Sequence, residues 1–234
     1  MNFKLNHLPF MFLLFSILLW TNCDKDDDNK ITLTDVDGNT YDAVEIGSQI
    51  WMSENLRVTH YRNGDEVPRR DRLHWDASGS EGAYCNYDDQ EDSFADTYGR
   101  LYNWAAVADQ RKLAPEGWHI PSEAEWLELG NFLQGDSIAG GKLKETGTGH
   151  WHSPNTGATD EVDFRALPAG ERVTSLTEDD GLGLYGAFWT STPSDVFPTS
   201  ALFRVLGYDT AELGGRNDSA NKSGGFSVRC VKDQ

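Results

Sequence analysis

The segment LAPEGWHIPSEAEWLEL (residues 113–129) carries the clearest structural signal in the chain. Its prolines and glycine predict a turn in the first half. Ser122 and Glu125 then form a Ser-x-x-Glu capping box, which predicts that a helix begins there. Three apolar residues at helical spacing form its predicted inward face: Trp126, Leu129 and Leu133. Gly135 is the predicted end of this helix.

A second helix is predicted just upstream, in YGRLYNWAAVADQRK (residues 98–112), because apolar residues recur there at helical spacing. Residues 53–97 are expected to be irregular. The remaining segments predict short strands, beginning with ITLTD and YDAVEI, which an Asp-Gly turn joins. From Gly140 onward only strands and loops are expected. We therefore predict one α+β domain over residues 31–234, with two helices and a loop-rich antiparallel sheet.

The N-terminus reads as a targeting segment. Lys4 precedes an apolar run over residues 8–20, which is shorter than the roughly 20 residues of a spanning helix. Residues 1–22 are therefore the predicted signal peptide, and Cys23 is the predicted lipidation site of a lipoprotein, with residues 23–30 as an acidic tether. This predicts a lipid-anchored protein of the outer membrane or cell surface. The alternative is a plain secretory signal with an incidental cysteine.

The charge balance excludes some classes of partner. The chain has 20 Lys and Arg against 38 Asp and Glu, for a net charge of −18. An acidic protein repels nucleic-acid phosphates and anionic lipid headgroups, so we expect no nucleic-acid partner and no basic lipid-binding patch.

Two cysteines remain after Cys23, and they leave two alternatives open. An oxidising compartment permits a disulfide between Cys85 and Cys230. However, Phe226, Val228 and Cys230 share one face of a predicted strand, which favours a buried thiol.

Three histidines are candidate metal ligands. His150 and His152 lie two residues apart, so on a strand they face the same way, and His119 or Asp160 would be the further ligand. The alternative is that Trp151 packs inward and its two neighbouring histidines face water, while His119 hydrogen-bonds near a helix N-terminus. The alternative is favoured, and the metal remains unknown.

Two acidic runs are candidate structural calcium ligands: Asp88, Asp89, Glu91 and Asp92, and Glu178, Asp179 and Asp180. Solvated surface is the more common explanation of such runs, so no cofactor is expected. GLGLYG (residues 181–186) satisfies G-x-G-x-x-G, but it follows acidic residues and precedes no helix pattern, which argues against dinucleotide binding. There is no G-x-S-x-G elbow, and no carboxylate pair stands out by its spacing, so we expect no catalysis.

Long segments resemble the Fibrobacter succinogenes major paralogous domain, whose biochemical function is not established. They are IGSQIWMSENLRVTHYRNGDEVP, YGRLYNWAAV, LAPEGWHIPSEAEWLEL, GGKLKETGTGHWHSPNTGATDEVDFRALPAG and GFSVRCVKD. The resemblance implies a secreted protein or lipoprotein. Many relatives carry a cysteine where this chain has Ala114.

A weaker similarity, through GWHIPSEAEW, FWTSTP and SVRCV, is to formylglycine-generating enzymes and the related C-type-lectin-like fold. It implies two helices flanking a small twisted sheet. Those enzymes bind copper through paired cysteines near the C-terminus, whereas Cys230 stands alone here. Loops rich in Trp, Tyr, Asn and Asp can stack on sugar faces and hydrogen-bond to hydroxyls. On that basis we predict a monomeric, non-catalytic binding or adhesion domain whose ligand is a glycan or other cell-surface molecule. The alternatives are a degenerate envelope enzyme and a purely structural envelope protein.

Overall fold

The computed structural model describes Met1 and residues 31–75, 80–173, 180–215 and 218–234. The predicted signal peptide (apart from Met1), the lipidation site Cys23 and the acidic tether lie outside these residues. Within them, none of the helices combines the length and the apolar character needed to cross a membrane.

The described residues form thirteen short strands and four helices. The strands are β1 (Ile31–Thr34), β2 (Thr40–Ile46), β3 (Gln49–Met52), β4 (Tyr84–Cys85), β5 (Leu101–Tyr102), β6 (Trp118–His119), β7 (Ala169–Glu171), β8 (Asp180–Leu182), β9 (Tyr185–Pro193), β10 (Ser200–Gly207), β11 (Leu213–Gly214), β12 (Ser219–Asn221) and β13 (Val231–Lys232). The helices are α1 (Asp92–Tyr98), α2 (Trp104–Val107), α3 (Glu123–Phe132) and α4 (Asp136–Leu143).

Two curled sheets dominate the fold. One has five strands in the order β1-β2-β3-β13-β6, and each neighbouring pair is antiparallel. The other has six strands, with the path β11-β10-β9-β7-β8 and β12 beside β10. Its β7–β9 pair is parallel, and β4 and β5 pair separately. The predicted hairpin is confirmed, because β1 and β2 pair from Thr34 opposite Thr40.

The predicted fold class is wrong. The described chain is mostly β, with two half-barrel sheets and few helices, and it is not the α+β, C-type-lectin-like arrangement of two helices on one sheet. The helix predicted in residues 98–112 shows why. Leu101 and Tyr102 pair with β4 instead, the Tyr102 backbone bonds to Phe226, and only Trp104–Val107 is helical. Pairing with residues distant in sequence has overridden a local helical pattern.

Helix α3 confirms the prediction made from the capping box. Ser122 is its N-cap, and the Ser122 and Glu125 side chains each accept a hydrogen bond from the other's backbone N–H. The predicted inward residues are buried: Trp126, Leu129 and Leu133. Gly135 does not end α3, whose last residue is Phe132, but instead precedes α4.

Helices α1 and α4 were not predicted. In α4 the sequence contains Gly140 and Gly141, which lower helix propensity. Both glycines are required by packing. A Cβ on Gly140 would lie 2.2 Å from the Glu212 carbonyl oxygen, and one on Gly141 would lie 2.4 Å from that of Gly157. The absence of a Cβ lets α4 lie directly against the backbone at Glu212 and Gly157. Local helix propensity does not indicate such a tertiary contact.

The two sheets share two hydrophobic clusters. Successive side chains of a strand point to opposite faces, and β9 is buried on both. Ala187 and Trp189 enter the first cluster, whereas Phe188 enters the second. On β3, Met52 and Trp51 divide between the clusters in the same way. Each central strand therefore ties both clusters together.

Candidate functional site

A cleft of about 250 Å³ opens beside α2, β6 and the C-terminal end of β13. Its floor is apolar, formed by Val107, Leu113, Ala114, Trp118 and Ile120. Its polar walls are formed by Arg62, Asp109, Lys112, His119, Ser191 and Asp233. An apolar floor with a few convergent polar groups is the usual character of a small-ligand site. We call it the first cleft.

Arg62 holds one wall in place. Its Nε donates to the Ala114 carbonyl at 3.0 Å, and its Nη2 donates to the carbonyls of Pro115 and Trp118 at 2.6 and 2.7 Å. Backbone carbonyls in a loop need such partners because no sheet or helix supplies donors. One guanidinium therefore orders the loop that leads into β6.

A second cleft of about 230 Å³ lies on the other side of this loop. Arg62, Leu113 and Ala114 form a wall shared by both clefts. The second cleft is also lined by Asp35, whose carboxylate accepts hydrogen bonds from Asn39 and the Tyr41 hydroxyl. Its polar wall is thus occupied by the β1–β2 turn, which leaves the first cleft as the better candidate.

His119 lies between two carboxylates. Its Nε2 is 2.7 Å from Glu125 Oε1, and its Nδ1 is 2.7 Å from Asp233 Oδ1. The pairing of β6 with β13 brings Asp233 there from 114 residues away. Burial opposes the charged ring, but the hydrogen bonds with Glu125 and Asp233 outweigh it and raise the pKa of His119.

The arrangement around His119 favours an imidazolium. A carboxylate can only accept, so a ring that bonds to carboxylates through both nitrogens donates from both. The hydrogen bonds from Ser122 and His119 lower the pKa of Glu125 despite its burial, which keeps that partner ionised. Neither ring nitrogen of His119 is then available as a general base or a metal ligand.

The histidine metal site predicted as one alternative does not assemble. His150 contacts Glu145 at 2.8 Å and Trp151 is buried, while His152 is exposed. Asp160 accepts a hydrogen bond from the Arg165 backbone. Across the residues that the structure describes, no three His, Cys, Asp or Glu side chains are grouped so that they could hold a metal ion. His119 bonds to carboxylates and not, as favoured from the sequence, to backbone.

The first acidic run provides counter-charges for arginines. Asp88 contacts Arg72, and Asp89 lies 2.8 Å from the fully buried Arg172. Asp92 lies 3.1 Å from Arg100 and 3.3 Å from Arg69. These pairs explain why so many carboxylates gather there, because a buried guanidinium needs an anionic or carbonyl partner. Glu91 is exposed.

The second acidic run is largely outside the described residues, since Glu178 and Asp179 are not among them. Asp180 begins β8. GLGLYG forms strand, turn and strand over β8 and β9, with no helix following it. This differs from the strand–loop–helix arrangement through which a dinucleotide motif presents amides to phosphate.

The two later cysteines are both buried thiols. Cys230 belongs to the first hydrophobic cluster, together with Phe226 and Val228, which confirms the predicted inward face. Cys85 belongs to a separate small cluster around Trp75. The disulfide weighed from the sequence is therefore not formed in this structure.

Five polar residues of the first cleft were not singled out from the sequence: Arg62, Asp109, Lys112, Ser191 and Asp233. Arg62 is an isolated arginine in an irregular segment, Lys112 lies in the loop after α2, and Asp233 directly follows β13. Tertiary structure brings these residues together around Trp118 and His119. Their spacing in the sequence therefore gave no indication of a shared site.

The described residues form a loop-rich, mostly β domain with a small amphipathic surface cleft. The profile of the Fibrobacter succinogenes major domain matches residues 44–232, and the chain belongs to this family. The match includes every residue that lines the first cleft except Asp233. The resemblance to this family is thereby confirmed. No curated protein and no solved structure matched the chain, so the weaker similarity to the C-type-lectin-like fold has no support.

Proposed function

We propose that the domain is a non-catalytic binding module that takes a small carbohydrate in the first cleft. The observation that carries this proposal is the cleft itself, which combines an apolar floor with charged and hydroxyl-bearing walls. A sugar has one apolar face and a rim of hydroxyls, and this combination matches it. The engaged nitrogens of His119 support binding over catalysis.

The size of the cleft limits the ligand. Its volume of about 250 Å³ is below the roughly 300–1,000 Å³ of sites for drug-sized molecules. A single pyranose ring suits it, either free or at the end of a longer chain that extends into solvent.

A carbohydrate panel tests this proposal. The full chain in detergent is screened by saturation-transfer NMR against neutral and acidic mono- and oligosaccharides. Ser191 is exposed on the cleft wall, so Ser191→Trp should fill the cleft without disturbing the core. Thr40→Trp, at an exposed position on β2, is the matched control. Binding that Ser191→Trp abolishes and Thr40→Trp retains supports the proposal, whereas silence across the panel refutes it.

We also propose that the protein is carried on the outer membrane or cell surface by lipid on Cys23. This rests on the sequence pattern of a short apolar run, one cysteine and an acidic tether. Intact mass of the protein from its own membranes tests it. A chain that begins at an acylated Cys23 is expected, and an unmodified N-terminus at another residue would refute the anchor.

A further inference from the structure

The wall of the first cleft differs in charge from the rest of the molecule. The chain carries a net charge of −18. The cleft wall has three cationic groups and two acidic ones: Arg62, Lys112 and His119, with Asp109 and Asp233. A cationic wall on an acidic protein concentrates anionic ligands there.

Each of the two acidic groups of the wall is paired with a cationic side chain. Asp109 accepts two hydrogen bonds from the Arg111 guanidinium, at 2.9 and 2.8 Å. Asp233 lies against His119 at 2.7 Å. Glu125 shares the same imidazole, so the two carboxylates and one imidazolium together carry one negative charge, against the two positive charges of Arg62 and Lys112.

Among the residues that the structure describes, neither Arg62 nor Lys112 makes an ion pair. The guanidinium of Arg62 is bound to neutral carbonyls. Lys112 makes no side-chain hydrogen bond or ion pair with any described residue. Two cationic residues thus line one cavity, Lys112 at its exposed edge, and a ligand anion would give both a charged partner.

The backbone fixes Lys112 at the cleft wall. Its N–H donates to the Asp109 carbonyl at 2.9 Å, and its own carbonyl accepts from the Arg62 N–H at 2.8 Å. Its φ is +62°, in the left-handed region where glycine or asparagine is the less strained choice.

We propose that the ligand of the first cleft is a uronic acid, either free or as the end of an acidic oligosaccharide. Its carboxylate lies between Lys112 and Arg62, and one face of its ring lies on Leu113 and Ile120. Its hydroxyls meet Ser191 and the engaged carboxylates. This inference rests on the proposed function and names the sugar class.

Paired titrations of the full chain in detergent test the inference, with glucuronate and glucose as probes and saturation-transfer NMR as the readout. We expect glucuronate to bind at least about tenfold more tightly, the usual scale of one charge-assisted contact. Added salt should weaken glucuronate binding and leave glucose binding unchanged.

Three variants locate the effect. Lys112→Asn removes the ammonium with a residue that tolerates positive φ, and it should abolish the preference for glucuronate. Lys112→Arg should retain the preference. Lys232→Gln makes the same change in net charge at an exposed lysine outside the first cleft, and it should bind like the unmodified protein.

The outcomes separate the two proposals. Equal binding of glucose and glucuronate, or a preference that survives Lys112→Asn, overturns the inference and leaves the carbohydrate site standing. Failure of both probes, together with silence across the wider panel, overturns the inference and the proposed function together.

Discussion

The buried pair of Arg204 and Glu123 allows a sharp test of how α3 is attached to the sheet. Arg204 Nε and Nη2 donate to the two carboxylate oxygens of Glu123 at 3.1 and 2.7 Å. The Arg204 side chain is fully buried and that of Glu123 is 10% exposed. Asp136 is 3.7 Å from Nη1 and offers only weak support. Glu123→Gln should therefore leave the buried guanidinium of Arg204 without its main carboxylate partner.

The expected cost of Glu123→Gln is about 3–4 kcal/mol in the free energy of unfolding. Breaking a buried pair costs about 3–5 kcal/mol, and the residual attraction of Asp136 places this case at the lower end. Arg204→Met should cost less, about 2–3 kcal/mol, because the freed Glu123 lies closer to solvent. Urea unfolding at 25 °C, followed by tryptophan fluorescence, measures both.

The double variant Glu123→Gln/Arg204→Met tests whether the two side chains stabilise the fold as a pair. Combining Glu123→Gln with Arg204→Met removes the desolvation penalty as well as the attraction, so this double variant should be more stable than Glu123→Gln alone. A loss equal to the sum of the single losses would refute the argument. Glu81→Gln is the matched control. It breaks an exposed pair with Arg70 at 3.0 Å, which should cost about 0–1 kcal/mol.

Three further outcomes are expected. Gly140→Ala should destabilise the protein by more than about 2 kcal/mol in a urea melt, although alanine favours helices, because its Cβ would meet the Glu212 backbone. An unchanged midpoint would contradict that. Lys144 is fully buried and donates to three backbone carbonyls at 2.7–2.9 Å, and burial lowers its pKa to about 8. Lys144→Met should then cost about 2–4 kcal/mol in the same assay, since the carbonyls lose their donors, and a stabilised variant would disprove this. The folded state raises the pKa of His119, so its contribution is full below the unfolded pKa of about 6.5 and is lost as the pH rises through the folded pKa. His119→Gln should therefore cost more stability at pH 6 than at pH 9, and an equal loss at both would exclude a charged ring.

Interactions close in sequence were predictable. The capping box of Ser122 and Glu125 satisfies helix donors within four residues, so the pattern alone located the start of α3. The β1–β2 turn follows from its Asp-Gly chemistry, and the alternation of Phe226, Val228 and Cys230 correctly marked a core face. These features depend on backbone preferences and side-chain periodicity, which operate over a few residues.

The remaining features depended on which segments meet. Residues 98–112 have helical spacing, but part of this segment forms β5 and pairs with β4. The acidic run near Asp89 looked like solvated surface, but it neutralises the buried Arg172, 83 residues away. Such pairings have no local signature, because any of many carboxylates satisfies the same arginine.

By itself, the sequence determined the family, the position of α3, the first hairpin and the acidic character of the molecule. Tertiary structure alone decided the two-sheet architecture and the first cleft. His119 contacts Asp233 because β13 pairs with β6. Arg62 lies at the cleft because its guanidinium donates hydrogen bonds to the loop before β6. Local propensity acts along a few residues of chain, whereas charge compensation and close packing act across space between residues far apart in sequence.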